Sequence, residues 1–551
     1  MSNILSEIKK NGATFTPSRL ADYLSKKILS TIDPSLSSFT VLDPACGNGS
    51  LLSSICKLGG AKITSLIGYD TNEEYLKEAC SSMKKIDSEN KCDFICKDFL
   101  TAYPNVVNLY MDNIKNEFAD IVIANPPYVR TQVLGTAKAK QLARDFNLTG
   151  RVDLYYPFFM AMTNALKKGG ILGVITSNRY ISTKSGSDIR KYLLDNYEII
   201  EIIDLGDTKL FEAAVLPAIF IGKKKETRSL IPKVGKYMSI YEADKGDKSK
   251  IECSFNDIYN VLESDKPGNY LVNEQKYTLR IGLLKHPTDK KGIWQMSDDK
   301  ENKWIEAIDE HTAFRIKDKF KVRVGIKSCA DNVFISQLWD KEGCKIEAWT
   351  IDKDSMLQVL YPHYSKNGKR QVFDIEKFPL AFHYLQKHRE QLEGRNYLMK
   401  AGRKWYEYWV PQNPDFWKMP KVVFPDISVR PRFCFDESGA IVNGNCYWMC
   451  AQNEEERSLL LLIEGVSNSS VMIRYHDLCF NNKLYSGRRR YLAQYIEQYP
   501  IPSPELESSK QIVSLVEKLN CSSDACEKES LASEIDSLVK KSFGITDCRD
   551  T

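Results

Sequence analysis

The sequence has no pair of cysteines spaced C-x-x-C; the closest among its 15 cysteines, such as Cys92 with Cys96 and Cys446 with Cys450, stand four apart. Its six histidines are scattered. Neither residue type shows the spacing of a zinc site, so no metal is expected and the thiols read as reduced and mostly buried. Long hydrophobic runs are also missing. The longest, such as Leu459–Ile463, fall far short of the ~20 residues that cross a bilayer. The opening stretch MSNILSEIKKNG lacks the apolar segment of a secretory signal. These absences point to a cytoplasmic chain that does not engage a membrane. There is no internal repeat, no low-complexity tract, no G-x-G-x-x-G fingerprint and no P-loop. Charge of one sign is not in large excess either. With 77 Lys and Arg against 72 Asp and Glu, the net charge of +5 permits a nucleic-acid partner without demanding one.

What is present is a chain of 551 residues, enough for two or three domains. Residues 1–225 alternate apolar strand-like runs with helical segments, the pattern of a parallel sheet covered by helices. The expected strands are Thr40–Pro44, Ile63–Asp70, Asp93–Lys97, Asp120–Ala124, Ile171–Ser177 and Ile199–Leu205. A seventh, Ala218–Gly222, follows too closely for a crossover helix and should pair antiparallel with its predecessor. The expectation is an α/β fold, a doubly wound, seven-stranded, mostly parallel sheet with ligands at the carboxyl ends of its strands. Residues 226–302 are polar and weakly periodic and read as a connector or insertion. Residues 303–503 are rich in aromatics, prolines and basic residues, with few long helices expected, and suggest a mixed α+β domain. Residues 504–551 read as a helical tail, with Ile512, Leu515, Val516 and Leu519 on one face.

Four strand ends carry chemistry. The first strand runs into Asp43-Pro44-Ala45-Cys46-Gly47-Asn48-Gly49-Ser50, where small residues let a ligand approach the backbone of a strand-to-helix turn. A plain tight connection would look the same. The second ends in Asp70, placed to accept from a ribose diol or to cap the following helix, or both. The third is followed by Asp98 and Phe99, an acid that can accept from an adenine amino group and a ring that can pack on the base. The fourth ends in Asn125-Pro126-Pro127-Tyr128. Two prolines hold that segment extended and rigid. The Asn125 side-chain oxygen and the Pro126 carbonyl can then take both hydrogens of an aromatic amine and concentrate its lone pair on nitrogen, with Tyr128 stacked on the ring. A simple strand-ending Pro-Pro turn is the alternative.

The quartet Asn125-Pro126-Pro127-Tyr128, with the glycine turn upstream, resembles the adenine-N6 DNA methyltransferases of the gamma motif order, the TaqI-like group. Ala13-Thr14-Phe15-Thr16-Pro17 is similar to the family's N-terminal cofactor motif, whose Thr-Pro element contacts the methionine end of the cofactor. Asp204 to Phe211, ahead of Val215–Ile221, is similar to the hairpin whose aromatic stacks on the flipped adenine; Phe211 is either that ring or a core residue. Val324-Gly325-Ile326-Lys327 to Val333-Phe334, then Pro420–Asp426 and Ser486–Pro502, look like the target-recognition region. The one departure is Asp43, where a glutamate is familiar.

The resemblance implies a class I methyltransferase fold with a C-terminal DNA-recognition domain. It implies S-adenosylmethionine as cofactor, held by Thr16, Pro17, Asp43, Ala45, Cys46, Gly47, Asp70, Asp98, Phe99 and Asn125. It implies Asn125, Pro126, Pro127, Tyr128 and Phe211 at the reacting base, and double-stranded DNA as substrate. Methyltransferases of protein glutamine and of RNA amino groups share the quartet, but are usually small and carry their recognition domain before the glycine turn. Cytosine-N4 enzymes mostly begin it with Ser. Here about a dozen residues precede the first motif and over 300 follow the last, which favours DNA. Arg403-Lys404-Trp405-Tyr406, Arg488-Arg489-Arg490-Tyr491, and Arg430 and Arg432 beside Phe433 mix cations with aromatics, suited to phosphates and bases, or equally to a solvated face. No nuclease constellation accompanies them. The expectation is a stand-alone, monomeric modification enzyme, the protective half of a restriction–modification or related defence system, with a cognate endonuclease as a separate partner; the system rests on analogy.

Overall fold

The computed structural model describes residues 15–86, 91–103, 117–128, 136–146, 153–210, 216–227, 235–243, 249–285, 290–336, 358–480, 483–484 and 487–545. The chain divides into two compact units, residues 1–302 with 477–487, and residues 303–476 with 488–551.

The first unit is built on one twisted sheet. Its strands are β1 (Phe39–Asp43), β2 (Ile63–Asp70), β3 (Cys92–Cys96), β4 (Ala119–Ala124), β5 (Leu166–Ser177), β6 (Tyr197–Asp204) and β7 (Pro217–Lys224), in the order β3-β2-β1-β4-β5-β7-β6. The pairs β1 with β2, β1 with β4, β2 with β3 and β4 with β5 are parallel. β7 lies antiparallel between β5 and β6, so the short link that rules out a crossover helix does make it the reversed strand. Strand alternation sends residues to two cores. Val41, Ile121, Ile123, Ile175 and Ile219 pack on one face. Leu42, Val122, Ala124, Val174 and Phe220 pack on the other. Both faces are covered, which is why the strands read as continuous apolar runs.

Helix α1 (Ser18–Ser30) enters behind Pro17 and buries Leu20, Ala21, Leu24 and Ile28. It lies so close to β5 that a Cβ on Gly173 would come within 2.3 Å of Ile28. Helix α2 (Ser50–Gly59) is tied to α1 by Ser54 donating to Asp22 at 2.6 Å. Helices α3 (Glu73–Met83), α4 (Tyr155–Ala165) and α5 (Ser187–Asn196) complete the layers.

The sheet is wider than seven strands. Residues read as a connector or insertion supply β8 (Lys236–Glu242), β9 (Cys253–Phe255), β10 (Gly268–Val272), β11 (Gln275–Lys285) and β12 (Gln295–Met296), giving a 12-stranded sheet. β8 pairs parallel with β6, and β11 pairs antiparallel with β8. The fold class stands; its extent is larger than the sequence suggested.

The second unit holds a four-stranded antiparallel sheet formed by Arg323–Val324, Cys446–Cys450, Lys421–Pro425 and Cys434–Asp436. One long helix breaks the expectation for residues 303–503, α6 (Glu454–Asn468) with 15 residues, while the expected helical tail is formed by α7 (Glu507–Cys521) and α8 (Ala525–Ser542), of 15 and 18 residues. The C-terminal pair is part of this unit's core, because a Cβ on Gly465 of α6 would lie 2.7 Å from Ile512 and 3.0 Å from Val516. Among the described residues no helix is long and apolar enough to cross a membrane, no group of side chains is arranged to hold a metal, and every cysteine is a free thiol.

Candidate active site

In this sheet the chain works outward from β1 to β3 and then returns to β4, so β1 and β4 flank the point where the winding reverses. A crevice forms at the carboxyl ends of strands on either side of such a point. Asp43 ends β1 and Asn125 follows β4.

Asp43 is buried, 1% exposed. Its Oδ1 accepts from the Ala45 amide at 3.1 Å, while Oδ2 is buried with no partner. Burial pushes its carboxyl up to about 8; the Ala45 amide opposes that rise and the nearby Asp70 charge adds to it. A carboxylate kept this uncomfortable is what a cationic ligand would relieve. The turn beyond it is locked. The Cys46 amide donates to the Tyr69 carbonyl at 2.8 Å, and the Gly47 amide donates to Asp70 Oδ2 at 2.9 Å. Gly47 (φ +51°) and Gly49 (φ +79°) take the left-handed conformations that make it tight. Burial raises the Cys46 thiol well above its ordinary value, so it is an inert wall and not a nucleophile.

Asp70 does not cap the following helix. Asn72 does, accepting from Glu74 and Tyr75, while Asp70 Oδ1 accepts from the Asn72 amide at 2.9 Å. Asp98 accepts from Leu100 at 3.0 Å and starts the short turn Phe99–Ala102. Phe99 itself is placed in the core, 1% exposed, against Tyr69, Tyr103 and Phe158. The expectation that its ring packs on a base meets a physical obstacle: other aromatics already hold that ring inside.

Two distant motifs meet at Asn125. Its Nδ2 donates to Thr16 Oγ1 at 3.0 Å across 109 residues, and its Oδ1 accepts from the Tyr128 hydroxyl at 2.5 Å. Thr16 is buried, Pro17 exposed, and Phe15 covers Gly47, within 3.4 Å of where its Cβ would be. Pro126 is buried, and Pro127 and Tyr128 are half-buried. Burial holds the Tyr128 phenol far above its usual range, so it stays a donor at any working pH. Asp43, Ala45, Cys46, Gly47 and Asp70 are thus joined through one turn, Thr16 and Asn125 through a second hydrogen bond, and the Phe15 ring beside Gly47 brings the two groups together; Asp98 stands at the next strand end. Phe211 lies outside the described residues.

Sequence reasoning missed the anchor beneath the β6–β7 link. Asp204, fully buried, accepts from Tyr241 at 2.7 Å, Asn178 at 3.2 Å and the Gly206 amide at 3.1 Å. Gly206 (φ +51°) admits no side chain, since a Cβ would lie 2.1 Å from the Ile240 carbonyl. The signal was available: polar Ser177-Asn178-Arg179 closes an apolar strand just as the other site motifs do.

Residues 50–211 match a family model described as Eco57I restriction-modification methylase, and residues 2–90 match one described as rRNA methyltransferase AviRa. The chain is 39% identical over 574 residues to Type II methyltransferase M.BanIII of Aneurinibacillus aneurinilyticus, spanning 99% of both. It is 23% identical to M.BstVI of Geobacillus stearothermophilus, over 91% of this chain and 92% of that one. Among solved structures it is similar to the Type IIL restriction-modification enzyme MmeI in complex with DNA (TM-score 0.55, 14% identity, 99% of this chain and 76% of that one). It is also similar to a nuclease-deletion mutant of the Type ISP enzyme LlaGI with a DNA substrate mimic (TM-score 0.52, 12% identity, 92% and 47%). At such identities the structural likeness is one of fold.

Proposed function

The chain belongs to the Type II methyltransferases of restriction–modification systems, and on that footing we propose that it methylates the N6 amino group of an adenine within a specific DNA sequence. Its cofactor, S-adenosylmethionine, supplies an electrophilic methyl group on a positively charged sulfonium. The residues present fit it. The unpartnered Asp43 Oδ2 suits the cofactor's ammonium group, and the Gly47 turn leaves room where a side chain would intrude. Asp70 uses each oxygen once and keeps lone pairs for a ribose diol. Asp98 is the acceptor nearest the end of β3 for an adenine amino group. Ala45 and Cys46 line the wall, and Thr16 and Pro17 close the methionine end.

The observation that carries the reading is the double tether of Asn125. Nδ2 is turned to Thr16 and Oδ1 to the opposite side, which makes Oδ1 the face offered to an incoming amine. The Tyr128 hydroxyl holds that oxygen at 2.5 Å. An arriving amino group replaces this hydroxyl as hydrogen-bond donor, and the freed ring turns to stack on the base. Asn125 Oδ1 and the Pro126 carbonyl then take the two amine hydrogens, which localises the lone pair for a one-step displacement. The target adenine must leave the helix for this, because its amino group is otherwise paired. Pro127 keeps the strand end extended, and Phe211 is the proposed second face of the clamp.

Asn125→Ala should lower turnover by ~10²–10³, the scale of losing one preorganised polar contact, while cofactor binding largely survives. Transfer of labelled methyl groups to DNA measures the first and calorimetry the second. Retention of more than about a third of wild-type turnover would remove Asn125 from the mechanism, since the expected loss is so much larger.

A further inference from the structure

In the second unit a short ribbon stands out by its charge. His363–Lys366 pairs antiparallel with Lys369–Val372 across a two-residue Asn367-Gly368 turn. Both turn residues have positive φ, +55° and +71°, the tight turn whose twist matches that of the strands. The ten residues 363–372 carry Lys366, Lys369 and Arg370 and no acid.

The register sorts these residues by face. His363 with Val372, and Ser365 with Arg370, share one face; Tyr364 with Gln371, and Lys366 with Lys369, share the other. The first face is tied to the neighbouring chain segment, with Ser365 half-buried and Arg370 exposed at its edge. His363 is buried, Ser365 donates to Asp415 at 2.5 Å, and Arg370 donates to the Pro411 carbonyl at 3.2 Å. The outward face presents exposed Lys366, Lys369 and Gln371, with Tyr364 donating to Gln371 at 2.8 Å and packed on Phe373. The turn is braced as well, Asn413 donating to the Gly368 carbonyl at 3.1 Å.

Two lysines directly opposite each other on paired strands repel, and such pairs destabilise a ribbon. Among the described residues no carboxylate forms an ion pair with Lys366, Lys369 or Arg370. The fold therefore holds a rigid hairpin whose outer face carries uncompensated positive charge and a pre-set amide. The major groove of B-form DNA is wide enough for a two-stranded ribbon, and strands of four residues reach ~13 Å. A-form RNA has a deep, narrow major groove that would exclude it.

We infer that the outward face of this ribbon enters the major groove of the DNA substrate, with Lys366 and Lys369 on flanking phosphates and Gln371 at a base edge. The inference rests on the function proposed above. Its test uses the full-length protein with a duplex carrying the sequence that the protein methylates, and reads binding by fluorescence anisotropy across a salt series. Replacing both lysines by alanine should lower the slope of log affinity against log salt by about 2, one unit per lost phosphate contact. Cofactor affinity should be unchanged. The doubly arginine-substituted protein keeps both charges and should bind as the wild type does. An unaltered slope in the alanine protein, a weakened arginine protein, or equal competition by an RNA duplex of the same sequence would each overturn the inference. Wild-type protein that methylates no DNA would sink the proposed function instead, so the two failures are distinct.

Discussion

Each strand end in this site pairs one polar residue with a backbone feature that fixes it, and this is why single residues were legible. The Gly47 turn and Asn125 announce themselves because an acid or amide beside glycine or proline has little to do in a core, and Asp70 does so because it ends an apolar strand. Phe99 shows the limit: an aromatic after a strand looks the same whether it faces a ligand or, as here, three other rings. Asp43 yields the sharpest prediction at this scale. Its folded pKa is raised to about 8, above its unfolded value. The native state therefore holds a proton that the unfolded chain has lost between ~pH 4 and ~pH 8, and stability falls as pH rises through that window. Asp43→Asn removes the penalty. Without cofactor, the variant should melt with the wild type near pH 4 and be more stable at pH 8, on the order of a few kcal/mol. Cofactor affinity should fall sharply in the same protein. Melting curves that stay superimposed at pH 8 would show that Asp43 is comfortably solvated and not held for a cation.

At the scale of elements, the central strands inside the edge strand β3 were readable because both faces are largely buried and no helical period competes. The added strands were not. β10 and β11 are joined at Asn273-Glu274, where two non-glycine residues adopt positive φ (+48° and +65°), so the usual Asn-Gly or Asp-Gly mark of a hairpin is missing. The run Leu459–Ile463, too short to cross a bilayer, is the part of α6 that is buried on every side. One internal brace is worth testing. Arg190 on α5 is 2% exposed and donates to the carbonyls of Tyr180, Thr183, Lys291 and Gly292, at 2.6–2.8 Å. It thereby holds the segment after β5 against the approach to β12. Arg190→Ala would strand several buried carbonyls, each worth ~1–3 kcal/mol, for a loss of more than about 3 kcal/mol. Arg190→Lys recovers little, because one ammonium cannot span four acceptors. Denaturant unfolding of the full-length protein reads the loss; a change below about 1 kcal/mol would mean that the carbonyls find other donors.

For the whole molecule, chain order already carried much of the functional argument: the glycine turn first, the amine-binding quartet next, and a large mixed region behind. What the sequence could not display is contact across distance. Thr16 and Asn125 are 109 residues apart, and their hydrogen bond ties the N-terminal motif to the amine-binding quartet. Charge totals hid the ribbon as well, since a net +5 over 551 residues says nothing about three cations around one turn. The central claim, adenine-N6 methylation of DNA at a defined sequence, is most directly tested in DNA from cells expressing the protein. Sequencing that distinguishes modified bases should find N6-methyladenine at one recurring sequence with wild-type protein and none with Asn125→Ala. N4-methylcytosine at that sequence, or unmodified DNA beside methylated RNA or protein, would contradict the account.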